Sequence, residues 1–288
     1  MPAVAASLSA LLQDAARHLS AGLGLDARAA RLEARALAGL ALGHDTAWLI
    51  AHEPEPVPSR MEAAFAALLA RRLAGEPVAY LRGEQEFFGR AFQVGPVVLI
   101  PRPETELLVE TALATLPAGG AACVLDLGTG SGALALTLAL ERPAWEIHAS
   151  DASPAALATA QLNARRLGAA RVRFWAGDWW QAVAGVKFFD MVLSNPPYVA
   201  EGDPHLAALT HEPRMALVAP DGGRAALAAI IAGASAHLAP GGWLWLEHGW
   251  EQGPWCRETL ARAGLENIAT CLDGAGLERV SGGQRVSE

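Results

Sequence analysis

The chain has 288 residues, 52% of them hydrophobic and 18% charged, which supplies one large core or two smaller ones and excludes a disordered chain. Its formal net charge of −8 disfavours an extended phosphate-neutralising footprint, so no direct nucleic-acid binding is expected. No stretch approaches the ~18 uninterrupted apolar residues of a membrane span, and the start lacks a signal-peptide pattern, so no membrane association is expected.

Residues 1–80 contain no convincing strand. "ASLSALLQDAARHLSAGL", "DARAARLEARALAGL" and "SRMEAAFAALLARRLAG" each place apolar residues at helical spacing, and Asp26 and Ser59 suit N-caps. "HEPEPVPS" is a proline-rich break, and Gly75 suits a helix stop. From Val78 to Val98, short aromatic and β-branched runs separated by glycines predict a hairpin or extended linker. A helix is expected to start at Pro103-Glu104-Thr105-Glu106, where acidic residues meet the positive end of the dipole.

Beyond about Ala121, strands and helices alternate. Strands are predicted near Cys123–Leu127, Glu146–Ser150, Val172–Ala176, Phe189–Ser194, Trp243–Glu247 and Ile268–Leu272, with helical patterns between them. Such alternation predicts an α/β fold with a mostly parallel sheet, whose ligands bind beyond the carboxyl ends of the strands. Cys123, Cys256 and Cys271 are isolated, with neither disulfide nor zinc spacing, so no metal is expected and a reducing cytoplasm fits. Lys187 is the single lysine, and the Arg, Ala and Gly richness resembles coding bias without functional content.

The chemistry-bearing residues fall at those strand ends. In "VLDLGTGSGALAL", Gly128, Gly130 and Gly132 let the backbone turn tightly and approach a ligand. The spacing is not the G-x-G-x-x-G of a dinucleotide site, and Asp126 just before it would repel phosphate and attract a cation such as an ammonium or sulfonium. A nucleoside loop and a ligand-free turn are both open. Asp151 ends the second strand, where a carboxylate accepts ribose hydroxyls or caps the helix near Ser153. Asp178 and Trp179 end the third, suiting either an adenine ring or the core.

"SNPPYV" follows the fourth strand. Two prolines have no N–H for a ladder, so the chain must leave the sheet there. Asn195 Oδ1 and the Pro196 carbonyl can each accept one N–H of an NH₂ group. Pro197 stiffens the loop, and Tyr198 can stack on a flat target.

Asp126 with its glycines, Asp151, Asp178-Trp179 and Asn195, in that order, resemble the Rossmann-like class I S-adenosylmethionine methyltransferases. "YLRGEQEFFGRAFQV", "LIPRPETE", "SNPPYV", "HEPRMALVAPDGG" and "LAPGGWLWLEHGWEQG" resemble, segment by segment, the HemK/PrmC family of N5-glutamine methyltransferases. The resemblance implies a seven-stranded sheet and three parts: a helical substrate-recognition domain (1–80), a β-hairpin linker (81–104) and a catalytic domain (105–288). It implies S-adenosylmethionine as cofactor, S-adenosylhomocysteine as product, and class I peptide chain release factors as partners of a cytoplasmic monomer. Asp126, Gly128, Thr129, Gly130, Ser131, Gly132, Asp151, Asp178, Trp179 and Asn195 would contact the cofactor. Asn195, Pro196, Pro197 and Tyr198 would grip the glutamine, with Phe87, Phe88 and the Arg102–Glu106 region lining the mouth. DNA adenine-N6 and rRNA guanine-N2 methyltransferases share the Asn-Pro-Pro-aromatic loop but need a basic recognition region or a flipping device. A non-catalytic cofactor-binding module is the third reading.

The resemblance implies as substrate the side-chain amide of the glutamine in the release factor's Gly-Gly-Gln motif, and the tail carries the same tripeptide at Gly282-Gly283-Gln284. In a glycine-rich chain it reads as chance. As a self-substrate, Gln284 would gain one methyl.

Overall fold

The computed structural model describes residues 7–186 and 188–287. Residues 1–6, Lys187 and Glu288, which the sequence reading includes in its first and third parts, lie outside the described residues. The chain forms two compact units, one ending at Gly83 and one beginning at Glu84.

Among its described residues the first unit contains five helices: α1 (Leu8–Leu23), α2 (Ala27–Leu42), α3 (Thr46–Ala51), α4 (Ser59–Leu73) and α5 (Val78–Arg82). Leu12, Leu19, Leu37, Leu49 and Phe65 share one core, as the helical spacing of apolar residues requires. Asp26 caps α2 by accepting from the N–H groups of Arg28 (2.7 Å) and Ala29 (2.8 Å). Ser59 is the first helical residue of α4 and not its cap; Pro58 precedes it with no side-chain cap bond. Val78–Arg82 is a helical turn and not part of an extended segment, ended by Gly83 in the left-handed region (φ 77°). Its aromatic and branched residues look strand-like, but Tyr80 buries its ring from a helix.

The second unit opens with a hairpin, β1 (Glu84–Phe87) and β2 (Arg90–Gln93). A 3₁₀ turn at Pro103–Thr105 runs into α6 (Glu106–Thr115), as the proline and acidic residues predict. Then follow β3 (Cys123–Leu127), α7 (Ala133–Glu141), β4 (Glu146–Asp151), α8 (Pro154–Leu167), β5 (Arg173–Ala176) and β6 (Phe189–Ser194). Two short turns, α9 (Arg214–Leu217) and α10 (Pro220–Gly223), precede α11 (Ala225–His237), β7 (Leu238–Glu247), α12 (Gly253–Arg262), β8 (Leu265–Leu272) and β9 (Glu278–Arg285).

The seven-stranded sheet has the order β5-β4-β3-β6-β7-β9-β8. The first five strands are parallel, and β9 runs antiparallel to both β7 and β8. The chain enters in the middle at β3, moves outward through β4 and β5, and returns on the other side at β6. That reversal opens a crevice beyond the ends of β3 and β6.

Three strands differ from expectation, β8 by starting at Leu265, three residues before the predicted Ile268. β7 starts at Leu238, because Leu238 pairs with Phe189 and Trp243 with Met191, so the "APGG" between them is an irregularity inside the strand. β9 contains the Gly-Gly-Gln tripeptide. Gly282 pairs with Trp245, and a Cβ there would lie 2.2 Å from the Trp245 ring. Gln284 donates to the Gly241 carbonyl (2.8 Å) and accepts from Asn267 (2.7 Å), so both ends of its amide are engaged.

Candidate active site

The site begins with strand ends held in register. Gly128 and Thr129 N–H groups donate to the Ser150 carbonyl (2.9 and 2.8 Å), joining the ends of β3 and β4. Ser194 Oγ donates to the Leu127 carbonyl (2.6 Å), joining β3 to β6. The loops that leave these three strands therefore start from one fixed edge.

The loop after β3 needs its glycines at named positions. Gly128, Gly130 and Gly132 have φ of 75°, 56° and 86°, all in the left-handed region. A Cβ on Gly132 would lie 2.9 Å from Leu136 and 3.3 Å from Ala160, whereas one on Gly130 would meet open space. Gly132 thus serves packing, and Gly130 keeps the cavity clear.

Asp126 lies beneath this loop, nearly inaccessible. Its Oδ2 accepts from the Thr129 hydroxyl (2.6 Å) and the Ala135 N–H (3.2 Å), while Oδ1 is buried with no hydrogen-bond partner. Burial pushes its carboxyl up to about 7 against those two bonds. Asp151 is more open: Oδ2 accepts from Gly130 N–H (2.9 Å) and Oδ1 from Ser153 N–H (2.8 Å). Burial also raises it above the usual carboxylate range, against those two bonds.

One cavity is lined by Gly128, Gly130, Asp151, Asp178, Trp179, Asn195 and Pro197, so the structure brings these predicted residues together. Trp179 holds φ at 39°, a conformation uncommon for a tryptophan, and packs partly against the core. Asp126, Thr129, Ser131, Gly132, Pro196 and Tyr198 are predicted site residues that do not line it. The Tyr198 hydroxyl donates to Glu247 Oε1 (3.1 Å). Phe87 is a core residue, edge-on to Phe92 at 6.0 Å. The Phe88 N–H donates to Glu106 (2.7 Å), and neither phenylalanine lines the cavity.

Val97, Val98, Leu99, Pro213, Met215 and Ala216 supply an apolar wall that the sequence reading did not name. The last three lie within "HEPRMA", a motif visible in the sequence without an assigned role. Glu212 of that segment is buried, accepts from Ile100 N–H (3.0 Å) and pairs with Arg102, tying the two wall segments together.

Asn195 leaves β6 with Nδ2 donating to Thr105 Oγ1 (3.0 Å), and Pro197 beside it reaches the same cavity. One of the two amide N–H groups is thus engaged, which turns the NH₂ to Thr105 and leaves Oδ1 as the acceptor.

Among the described residues, one Cys/His/acid trio has metal-like spacing: Cys123, Glu146 and His148. His148 Nδ1 accepts from Trp175 Nε1 (3.0 Å), so Nε2 carries the proton and faces Glu146 (3.1 Å). Burial pushes the Cys123 thiol up to about 11. The trio therefore offers neither a free imidazole lone pair nor a thiolate. No helix among the described residues is long and apolar enough to cross a membrane.

Comparison with known proteins accords with this geometry. Residues 103–253 match the family described as methyltransferase small domain, and residues 10–83 match the PrmC N-terminal domain. A release factor glutamine methyltransferase of Bordetella pertussis is 54% identical over 255 residues, covering 88% of this chain and 94% of that one. One from Burkholderia pseudomallei is 48% identical over 260 residues, covering 88% and 91%. The crystal structure of a methyltransferase from Pyrococcus furiosus superposes with a TM-score of 0.53 at 19% identity, covering 77% of this chain and 99% of that one, a likeness of fold alone.

Proposed function

The chain belongs to the release factor glutamine methyltransferase family, and from that premise we propose that it transfers a methyl group from S-adenosylmethionine to the side-chain amide nitrogen of the glutamine in the Gly-Gly-Gln motif of class I peptide chain release factors. The observation that carries the reading is the Asn195 carboxamide. Its NH₂ is turned to Thr105 by one hydrogen bond, and it shares one cavity with Asp151 and Trp179.

When bound, the cofactor supplies an electrophilic methyl on a sulfonium. The target amide nitrogen would take that methyl, with S-adenosylhomocysteine as the leaving group and one N–H proton released to solvent. An amide nitrogen is a poor nucleophile because its lone pair is delocalised. Asn195 Oδ1 and the Pro196 carbonyl each accept one of its N–H bonds, and both bonds strengthen as positive charge develops on nitrogen. The prolines hold the two acceptors still, so little reorganisation opposes the reaction. Tyr198, braced by Glu247, backs the loop from behind.

The residues present fit the cofactor. Asp151 retains lone pairs for the ribose hydroxyls beside the two N–H groups it accepts. Trp179 offers a ring face, Asp178 an acceptor, and Gly128 and Gly130 leave room for close approach. Thr129, Ser131 and Gly132 hold the loop's shape. Asp126 lies beneath it, and a bound sulfonium or ammonium would favour its ionised form. The helical unit and the hairpin segment serve as the recognition domain and linker of a cytoplasmic monomer.

Incubation with labelled cofactor tests the reading. Label is expected in the glutamine of a purified release factor, and Asn195→Ala is expected to lower turnover by ~10²-fold or more, as for other lost transition-state hydrogen bonds. Label in DNA or rRNA and none in the release factor contradicts it.

A further inference from the structure

Behind the Asn195 carboxamide runs a buried polar chain that the cavity itself does not contain. Asn195 Nδ2 donates to Thr105 Oγ1 (3.0 Å), and Thr105 is 5% exposed. The Tyr198 hydroxyl donates to Glu247 (3.1 Å), the last residue of β7, which is 1% exposed, and the Thr105 hydroxyl lies near enough to the same carboxylate to favour its ionised form. Three segments distant in sequence thus converge on one carboxylate: the 3₁₀ turn before α6, the loop after β6 and the end of β7. Glu247 Oε2 is buried without a hydrogen bond, a costly group for a merely structural position to keep.

A carboxamide has one donor end and one acceptor end, and its neighbours decide which way it faces. A threonine hydroxyl alone does not decide, because it can donate or accept. An ionised carboxylate beyond it does. With its proton directed at Glu247, Thr105 offers Asn195 only lone pairs, so Nδ2 must turn to Thr105 and Oδ1 to the cavity. Without that acceptor the hydroxyl is free to donate to Oδ1, and the carboxamide then presents its own NH₂ to the substrate's NH₂. That is donor against donor.

We propose that Glu247, acting through Thr105, fixes the Asn195 carboxamide with its oxygen toward the target nitrogen, so that Thr105 and Glu247 are positioning residues for methyl transfer. The inference rests on the reaction assigned above and adds residues to it. Four groups bear on the state of Glu247. The Thr105 and Tyr198 hydroxyls and Arg279 favour the carboxylate, and Glu104 opposes it; Arg102 acts on Tyr198 alongside them. Burial outweighs the favourable three and pushes Glu247 up to about 7. A protonated Glu247 no longer demands the Thr105 proton, so turnover should rise as pH increases through that value.

The test uses the full chain, a purified release factor and labelled cofactor. Thr105→Val keeps the shape and loses the hydroxyl. It should lower kcat by ~10-fold or more while KM and cofactor affinity change by no more than ~3-fold, the signature of an interaction that acts in the transition state. Thr105→Ser should restore turnover. Asn195→Ala with Thr105→Val should be no worse than Asn195→Ala alone, because the two act as one unit. Glu247→Gln should lower kcat and remove the pH limb near neutrality. Wild-type turnover in folded Thr105→Val, additive losses in the double variant, or an unchanged pH limb in Glu247→Gln would overturn the inference. Should Thr105→Val not fold, the Glu247→Gln pH profile decides. Wild-type protein that leaves the release factor unlabelled overturns the assigned reaction, and this inference with it.

Discussion

The Gly130 N–H donates to Asp151 Oδ2 at 2.9 Å, while Oδ1 of the same carboxylate accepts from Ser153 at 2.8 Å. One side chain therefore stitches the loop after β3 to the start of α8. Ligand-binding and structural readings of Asp151 are not alternatives here, because the carboxylate does the second while it still faces the cavity.

Asp151→Asn should consequently damage both. Its NH₂ must oppose either Gly130 or Ser153, leaving a partly buried donor unpaired at a cost of about 1–3 kcal/mol. Cofactor affinity should weaken by ~10-fold or more, and the melting temperature should fall by several degrees at about 2–4 °C per kcal/mol. Titration calorimetry and a thermal melt check the two separately. Unchanged affinity would remove Asp151 from the cofactor's contacts.

Two glycines of one loop should fail in different ways. Gly132→Ala drives a Cβ to 2.9 Å from Leu136, so its main effect should be lost stability. Gly130→Ala meets open space and carries only the left-handed backbone cost of about 1–2 kcal/mol, but its methyl enters the cavity. Circular dichroism should find Gly130→Ala folded, and cofactor binding should find it defective.

The buried carboxyls give stability a pH dependence whose sign is set. Asp126 titrates at about 7 when folded and near ~4 when unfolded, so between those values the native state binds the extra proton. Its contribution is fully present below about 4 and is lost as pH rises to about 7. Asp126→Asn cannot titrate, so its melting temperature should drop less than the wild type's between pH 5 and pH 8. Parallel drops would show that Asp126 does not hold the proton.

Gln284 should stay unmodified although it belongs to a Gly-Gly-Gln tripeptide. Backbone pairing on both sides and two amide hydrogen bonds keep it in the sheet. Intact mass after incubation with cofactor alone should not gain a methyl. Gly282→Ala should destabilise by about 1–3 kcal/mol or more through overpacking against Trp245.

Local signals in the chain were readable, and long-range ones were not. Cys123–Leu127 and Phe189–Ser194 form strands at the predicted residues, because continuous apolar runs suit strands buried on both faces. β9 escaped because two adjacent glycines carry no strand signal, while the sheet uses their missing side chains to seat Trp245 and Leu265. Asn195 and Tyr198 were legible as chemistry from "NPPY" alone. Thr105 and Glu247 lie within the quoted "PRPETE" and "LEHGW" segments, but their links to that loop span 90 and 49 residues of chain and no local pattern shows them.

The place of β9 also governs how the protein must be made. It follows β8 in the chain but lies between β7 and β8 in the sheet. A nascent polypeptide that has emerged only as far as Leu272 has both strands and no means of joining them. The tryptophan-bearing edge of β7 is then unpaired, an opening to aggregation and a target for chaperones. A premature stop before Glu278 would remove the one strand that joins β8 to the rest of the sheet, so it should abolish folding and leave no trimmed enzyme behind.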